Sequence, residues 1–234
     1  MELSRGVYLL RAAANVTLVT EPEVTLFDAG SSHDGPRLLK QLQAIGIAPD
    51  RIQKIVLTHS DWRHAGGAHW LALTSGADVF SSQPAAAILG QHASPGKLRT
   101  LRATLLGRRA PPVTPSILRD SDEVAGFRVI EVPGHTADSL AFFRPADGIL
   151  VVGDAARVAG MDILPPNFWR SSSELTGRRS LAILAQLPTE ILIPGHGPAY
   201  RLPQRALRAV AGPPGFADSL ITRREQRVHS TRRS

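Results

Sequence analysis

The sequence contains no cysteine, which excludes disulfides and thiolate metal sites, so any metal here must be held by His, Asp or Glu. It has no run of about 18 apolar residues, the length that marks a candidate membrane-spanning helix. Internal repeats and dominant low-complexity blocks are also missing. Residues 1–20 carry Glu2, Arg5 and Arg11 among apolar residues and lack the ordered zones of a secretory signal peptide. A cytoplasmic protein that makes no use of a membrane is therefore expected. What the chain does have is bulk: 234 residues, 43% of them hydrophobic, enough to bury a sizeable core. The expected organisation is one globular domain over residues 1–212, followed by a basic tail over residues 213–234.

The positive charge is unevenly spread. Residues 201–234 hold eight arginines against Asp218 and Glu225, a net +6, which leaves only +1 of the total +7 for the other 200 residues. The high pI thus describes the end of the chain and not its body. Such an end is either a solvated segment or a non-specific attractor of polyanions, and specific nucleic-acid recognition is not expected. A second basic stretch, residues 83–119, contains Lys97, Arg99, Arg102, Arg108, Arg109 and Arg119 with no acid among them. It is expected to be a helical insertion or cap that either faces an anionic substrate or presents a solvated surface. The excess of Arg over Lys, with abundant Ala, suggests a GC-rich bacterial genome.

Along the chain, strand and helix signals alternate. Residues 6–11, 15–20 and 24–28 are rich in β-branched and aromatic residues and are expected to be strands. Residues 36–45 place Leu38, Leu39, Leu42 and Ile45 on one helical face, and Gly46 suits the end of that helix. Residues 54–58 form a short, nearly all-apolar strand, as expected when both faces are covered. A helix over residues 67–74 and a strand over residues 78–80 follow. Strands return at residues 127–132, 139–143 and 149–152, the last two joined across Asp147-Gly148, a strong hairpin signal. A loop with Pro165, Pro166 and Trp169 leads to a helix capped by one of Ser171, Ser172 or Ser173 and running to about residue 187. The strand at residues 190–193 ends at Pro194-Gly195-His196. This order predicts layered α/β packing.

Polar residues gather immediately after four of these strands. The segments are Thr58-His59-Ser60-Asp61-Trp62-Arg63-His64-Ala65-Gly66-Gly67, Pro133-Gly134-His135-Thr136, Gly153-Asp154 and Pro194-Gly195-His196-Gly197. Strand ends in a layered α/β protein converge on one edge, so these side chains can meet although they are far apart in sequence. Imidazole and carboxylate are the ligands Zn²⁺ takes when thiolate is absent.

Here the chain resembles the metallo-β-lactamase superfamily. That family's pattern is His-x-His-x-Asp-His followed by Gly-Gly, a later His after Gly, an Asp ending a strand, and a final Gly-His-Gly. This sequence offers His59, Asp61, Arg63, His64, His135, Asp154 and His196 in that order, with Phe27-Asp28-Ala29-Gly30 upstream. The intervals of 71, 19 and 42 residues that follow His64 look like the family's, and the resemblance spans roughly residues 6–200. It implies a four-layer αββα sandwich with one or two metals at the sheet edge. Carried over by position, His59, Asp61 and His135 would form one site, His64 and His196 the other, with Asp154 bridging. Asp28 would orient a ligand imidazole from behind.

Two positions depart from the pattern. Asp61 stands for a His, a mild change because carboxylate also binds Zn²⁺. Arg63 stands for the Asp that holds the second metal, and arginine has no lone pair to give. A unit charge pair at 4 Å is worth about 4 kcal/mol at an effective dielectric near 20, so Arg beside a dication costs roughly twice that. One Zn²⁺ is therefore expected over two, although the same N/O ligands accept Fe or Mn²⁺. The implied activity is a metallo-hydrolase acting on an ester, thioester, lactone, amide or phosphoester of a small molecule, and the basic stretch leaves open whether that molecule is anionic. Asp154, His64, His196 and Arg63 are the candidate catalytic residues, with Arg63 expected to pair with Asp154 or hold an anionic group. The alternative is a binding or sensor protein that keeps the fold and has lost the metal.

Overall fold

In the computed structural model, which describes residues 1–90, 113–166 and 173–212, two mixed sheets lie face to face. The first sheet runs in spatial order through β1 (Glu2–Ser4), β2 (Val7–Arg11), β3 (Asn15–Val19), β4 (Thr25–Phe27), β5 (Lys54–Val56), β6 (Asp78–Ser82) and β7 (Ser116–Leu118). Its first four strands form an antiparallel meander, and β4 to β7 are parallel. The second sheet consists of β8 (Glu123–Val124), β9 (Phe127–Glu131), β10 (Leu140–Arg144), β11 (Ile149–Gly153), β14 (Ile191–Pro194) and β15 (Tyr200–Arg201), in the spatial order β15-β14-β11-β10-β9-β8. A separate hairpin, β12 (Arg157–Ala159) with β13 (Asp162–Leu164), lies between β11 and β14 in sequence.

Side-chain alternation sorts the residues of each strand into different cores. In β4 and β5, Phe27 and Val56 face the space between the sheets, while Leu26 and Ile55 face outward. In β10 and β11, Leu140, Phe142, Ile149 and Val151 face the same central space, and Ala141, Phe143, Leu150 and Val152 face the other side. Phe27, Phe127 and Phe142 meet at the centre, with ring centroids 4.7 and 5.0 Å from Phe27. Each such ring contributes on the order of 1.5–3 kcal/mol through burial.

The outer faces are apolar and must be covered, which the helices do. Helices α1 (Gly35–Ala44) and α3 (Ala68–Ser75) bury Leu38, Leu42, Ala68 and Leu71 on the first sheet. Helices α5 (Glu174–Leu184) and α6 (Gln204–Ala211) bury Leu181, Leu184, Leu207 and Ala211 on the second. The result is the four-layer αββα sandwich expected from the sequence. Two short helices complete it, α2 (Trp62–Ala65) and α4 (Gln83–Gly90). The side chain of Ser173 caps α5 by accepting from the Thr176 amide.

Several expectations need correction. The segment between β11 and Pro165, read as loop, is the β12–β13 hairpin, held down by buried Val158 and Ile163. Arg201, Arg205 and Arg208, counted above with the basic end of the chain, lie in β15 and α6 within residues 1–212, where Leu207 and Ala211 anchor that helix. Residues 116–118 of the expected insertion form the seventh strand of the first sheet. The rest of the basic stretch, residues 91–112, lies outside the described residues, as do the capping Ser171 and Ser172, Trp169, and the tail at 213–234. Among the described residues, no helix is long and apolar enough to cross a membrane.

Candidate metal centre

All the motif residues follow strands whose ends share one edge. Asp28 follows β4, His59 follows β5, and Asp61 precedes α2, which carries Arg63 and His64. His135 follows β9, Asp154 follows β11, and His196 follows β14. The last three strands run the same way, because β10 is antiparallel to both β9 and β11 while β14 is parallel to β11. Backbone bonds stitch the two sheets together here, from Leu140 N to Thr58 O at 2.7 Å and from Asn15 N to Gly195 O at 2.7 Å.

Glycines permit the close approach. A Cβ on Gly195 would lie 2.5 Å from both Asp154 Oδ1 and His64 Cε1. One on Gly67 would lie 2.2 Å from the Ala29 carbonyl oxygen, so the Gly66-Gly67 pair serves close packing.

Two groups of donor atoms result: His59, His135 and Asp154 in one, and His64, Asp154 and His196 in the other. Asp154 joins them through separate oxygens. Its Oδ2 lies 3.5 Å from His135 Nε2, while its Oδ1 lies 3.5 Å from His64 Nε2 and 3.7 Å from His196 Nε2. Asp61 Oδ2 stands beside the first group, 3.4 Å from His135 Nε2 and 3.8 Å from His59 Nε2. These gaps exceed the roughly 2.7–2.9 Å of a charge-assisted hydrogen bond. Three of them, at 3.4–3.5 Å, fall within the roughly 3.3–3.6 Å edge of a tetrahedron whose centre lies 2.0–2.2 Å from each ligand, and the other two, at 3.7 and 3.8 Å, lie just beyond it. Consistently, His59 Nε2, His64 Nε2 and Asp154 Oδ1 are buried with no hydrogen-bond partner. Buried polar atoms normally have one. The residues therefore fit a cation.

The tautomers needed for ligation are set from behind by Asp28. Its Oδ2 lies 2.7 Å from His64 Nδ1. Its Oδ1 accepts from the Thr58 amide at 2.8 Å, and the Thr58 hydroxyl donates to the same carboxylate at 2.9 Å. Having donated its proton, that hydroxyl can only accept from His59 Nδ1, 3.0 Å away. Both imidazoles thus carry a proton on Nδ1 and present Nε2 as the ligand atom, where a metal would displace the second proton of His64. Asp28 sits at φ 66°, a left-handed conformation that Asp and Asn adopt more readily than most residues.

The electrostatics favour anionic ligands. The imidazole of His135, then that of His59, beside it holds the Asp61 carboxyl well below its usual range, outweighing partial burial. Burial would raise the Asp154 carboxyl, but His64, with His59 and His196 beyond it, keeps it well below normal. Burial likewise opposes charging of His64, yet Asp28 and then Asp154 reverse this and raise it to about 10. Burial, with the nearby positive His64 and Arg63, lowers His196 despite the pull of Asp154.

Arg63 does not pair with Asp154. Its guanidinium carbon lies 5.2 Å from the centroid of the Trp62 ring, and the stacking takes the place of the expected ion pair. Both residues line the cleft above the donor groups.

Three contributors lay outside the sequence-based reading. Arg157, from the unforeseen hairpin, also lines the cleft. Asn15 clamps the His196 loop, its Nδ2 donating to the Pro194 and Gly197 carbonyls at 2.8 Å each. Asp138 holds the loop after β5 by accepting from the Ser60 amide at 2.7 Å. The one available signal was Asn15 itself, an amide side chain opening a strand that is otherwise apolar except for Thr17.

Residues 10–196 match the metallo-beta-lactamase superfamily, and the chain belongs to it. Metallo-beta-lactamase domain-containing protein 1 of Xenopus laevis is 27% identical over 198 residues, covering 83% of this chain and 75% of that protein. A hydroxyacylglutathione hydrolase of Fuscovulum blasticum is 29% identical over 180 residues, 72% of this chain but only 58% of that enzyme. Among solved structures, TTHA1623 in a di-iron-bound form superposes with a TM-score of 0.66 at 24% identity, covering 86% of this chain and 96% of that one.

Proposed function

We propose that this chain is a metal-dependent hydrolase that cleaves a carbonyl ester or thioester of a small molecule. The observation that carries the reading is the set of buried, partnerless donor atoms on His59, His64 and Asp154, which two loops bring together and the loops of His135 and His196 complete. The resemblance to hydroxyacylglutathione hydrolases supports the thioester class.

His59, Asp61, His135 and Asp154 would hold the first ion. His64, Asp154 and His196 provide three donors for a second, and the cation of Arg63 beside them favours a single ion. Zinc suits the ligand set, and Fe and Mn²⁺ do as well. When bound, the metal supplies Lewis-acid polarisation and acidifies a water. The ionised Asp154 is placed to orient the attacking water. His196, half-buried with lowered basicity, is placed to exchange a proton with the leaving group.

Replacing His59 or His135 by Ala should abolish chelator-sensitive hydrolysis of a test thioester, and unchanged turnover in both variants would remove the mechanism. A second reading, a binding or sensor protein without metal, draws on Arg63 lying in the cleft. Zinc-free protein from zinc-supplemented cells, with melting unaffected by chelator, would favour it.

A further inference from the structure

The wall of the cleft carries two guanidiniums that the hydrolytic reading leaves unused. Arg63 comes from α2 on the first sheet's side and Arg157 from β12 on the second's, and both line the same cleft. Arg157 is fixed at one end, since its Nε donates to the Pro165 carbonyl at 3.1 Å. Its strand is braced against the His196 loop, where a Cβ on Gly197 would lie 2.4 Å from the Val158 carbonyl oxygen. Arg63 is held by its stacking on Trp62. Among the described residues, neither guanidinium is paired with a carboxylate.

Charge counting leads the same way. The carboxylates of Asp61 and Asp154 only balance the two arginines, so a dication at the donor groups leaves the lining about +2. A semi-enclosed cleft with that surplus draws in an anion. Guanidinium suits a carboxylate or phosphate because its planar fork matches two oxygens at once.

We propose that Arg63 and Arg157 form an anion subsite, and that the substrate carries a carboxylate or phosphate a few bonds from the cleaved carbonyl. This inference rests on the hydrolase reading for its second half, whereas the anion subsite stands without it. The reaction is balanced as thioester plus water giving carboxylic acid plus thiol, and the charged group is a handle that takes no part in bond breaking.

The test compares the wild type with Arg63→Gln, Arg157→Gln and Arg157→Lys. Inorganic phosphate binding is followed by calorimetry on protein as purified and after chelation. Hydrolysis is compared for S-acetyl-3-mercaptopropionate and its neutral methyl ester, using the ratio of kcat/KM values so that general damage cancels. Each Gln variant should weaken phosphate binding and cut the preference for the charged thioester by roughly tenfold, the loss expected for a charge-assisted bond. Arg157→Lys, which keeps charge without the fork, should fall between. Equal phosphate affinity and an unchanged ratio in all variants would overturn the subsite while leaving the hydrolase intact. Arginine-dependent phosphate binding without hydrolysis of either thioester would sustain the subsite and defeat the hydrolase.

Discussion

Asp28→Asn isolates the carboxylate behind the ligands with little disturbance to the backbone. Asparagine has nearly the same volume and tolerates the φ of 66° found there. Its carbonyl oxygen can still accept from the Thr58 amide, which donates to Asp28 Oδ1 at 2.8 Å. Its amide nitrogen then occupies the place of Oδ2 and presents hydrogens to His64 Nδ1, which lies 2.7 Å from Oδ2 in the native protein. Two donors cannot share that gap, so the imidazole must take the other tautomer and lose its Nε2 lone pair. The hydroxyl relay to His59 is weakened too, because Thr58 loses an acceptor. A hydrogen bond to a charged group is worth about 1.5–3 kcal/mol, or roughly 10- to 150-fold. Loss of such an outer partner typically costs metal sites about 10–100-fold in affinity. The single ion is held by His59 and not by His64, so the change reaches it through the weakened Thr58 relay. Zinc competition against a chromophoric chelator should show a loss at the low end of that range, about tenfold, and ¹⁵N spectra should show His64 in the altered tautomer. Affinity within about twofold of wild type, with the tautomer unchanged, would refute the assignment of Asp28 as the group that orients His64.

Other expectations follow from the same geometry. His64 is raised from 6.5 to about 10 in the folded protein, so its stabilisation of the metal-free chain is fully present below pH 6.5 and fades as pH climbs towards 10. Thermal melts of chelated protein should drop between pH 6.5 and 10, while zinc affinity at the first donor group rises over the same window as the neighbouring His64 loses its positive charge. Gly195→Ala places a methyl 2.5 Å from Asp154 Oδ1 and His64 Cε1. It should cost about 1–3 kcal/mol of stability by overpacking, and on the order of 100-fold in turnover through displacement of about 1 Å. Arg63→Asp restores a donor beside the second group, and elemental analysis should then find two metals per chain where the wild type holds one.

Much of the fold was legible because buried strands announce themselves locally. The apolar run at residues 54–58 and the Asp147-Gly148 turn needed no knowledge of their neighbours, and β5 and the β10–β11 hairpin lie there. The donor residues were legible for a related reason, since short Gly- and His-rich segments at strand ends leave a pattern even when their partners are distant. The remaining contributors depend on long-range packing. Arg157 sits on a three-residue strand whose pairing is fixed by Val158 and Ile163 beneath it, and nothing in its neighbours marks a cleft residue. Asn15 reaches the His196 loop across 179 to 182 residues, a contact visible only once the sheets are stacked. Arg63 was noticed, but its partner was misjudged, because stacking on the adjacent Trp62 competes with the ion pair to Asp154.

The most direct measurement is metal content and turnover on one sample through a cycle of chelation and reloading. About one zinc, iron or manganese per chain is expected, with thioester hydrolysis lost on removal and restored in proportion to metal returned. Hydrolysis that persists at full rate in metal-free protein, or a chain that takes up no divalent ion at all, would contradict a cation held by His59, His135 and Asp154.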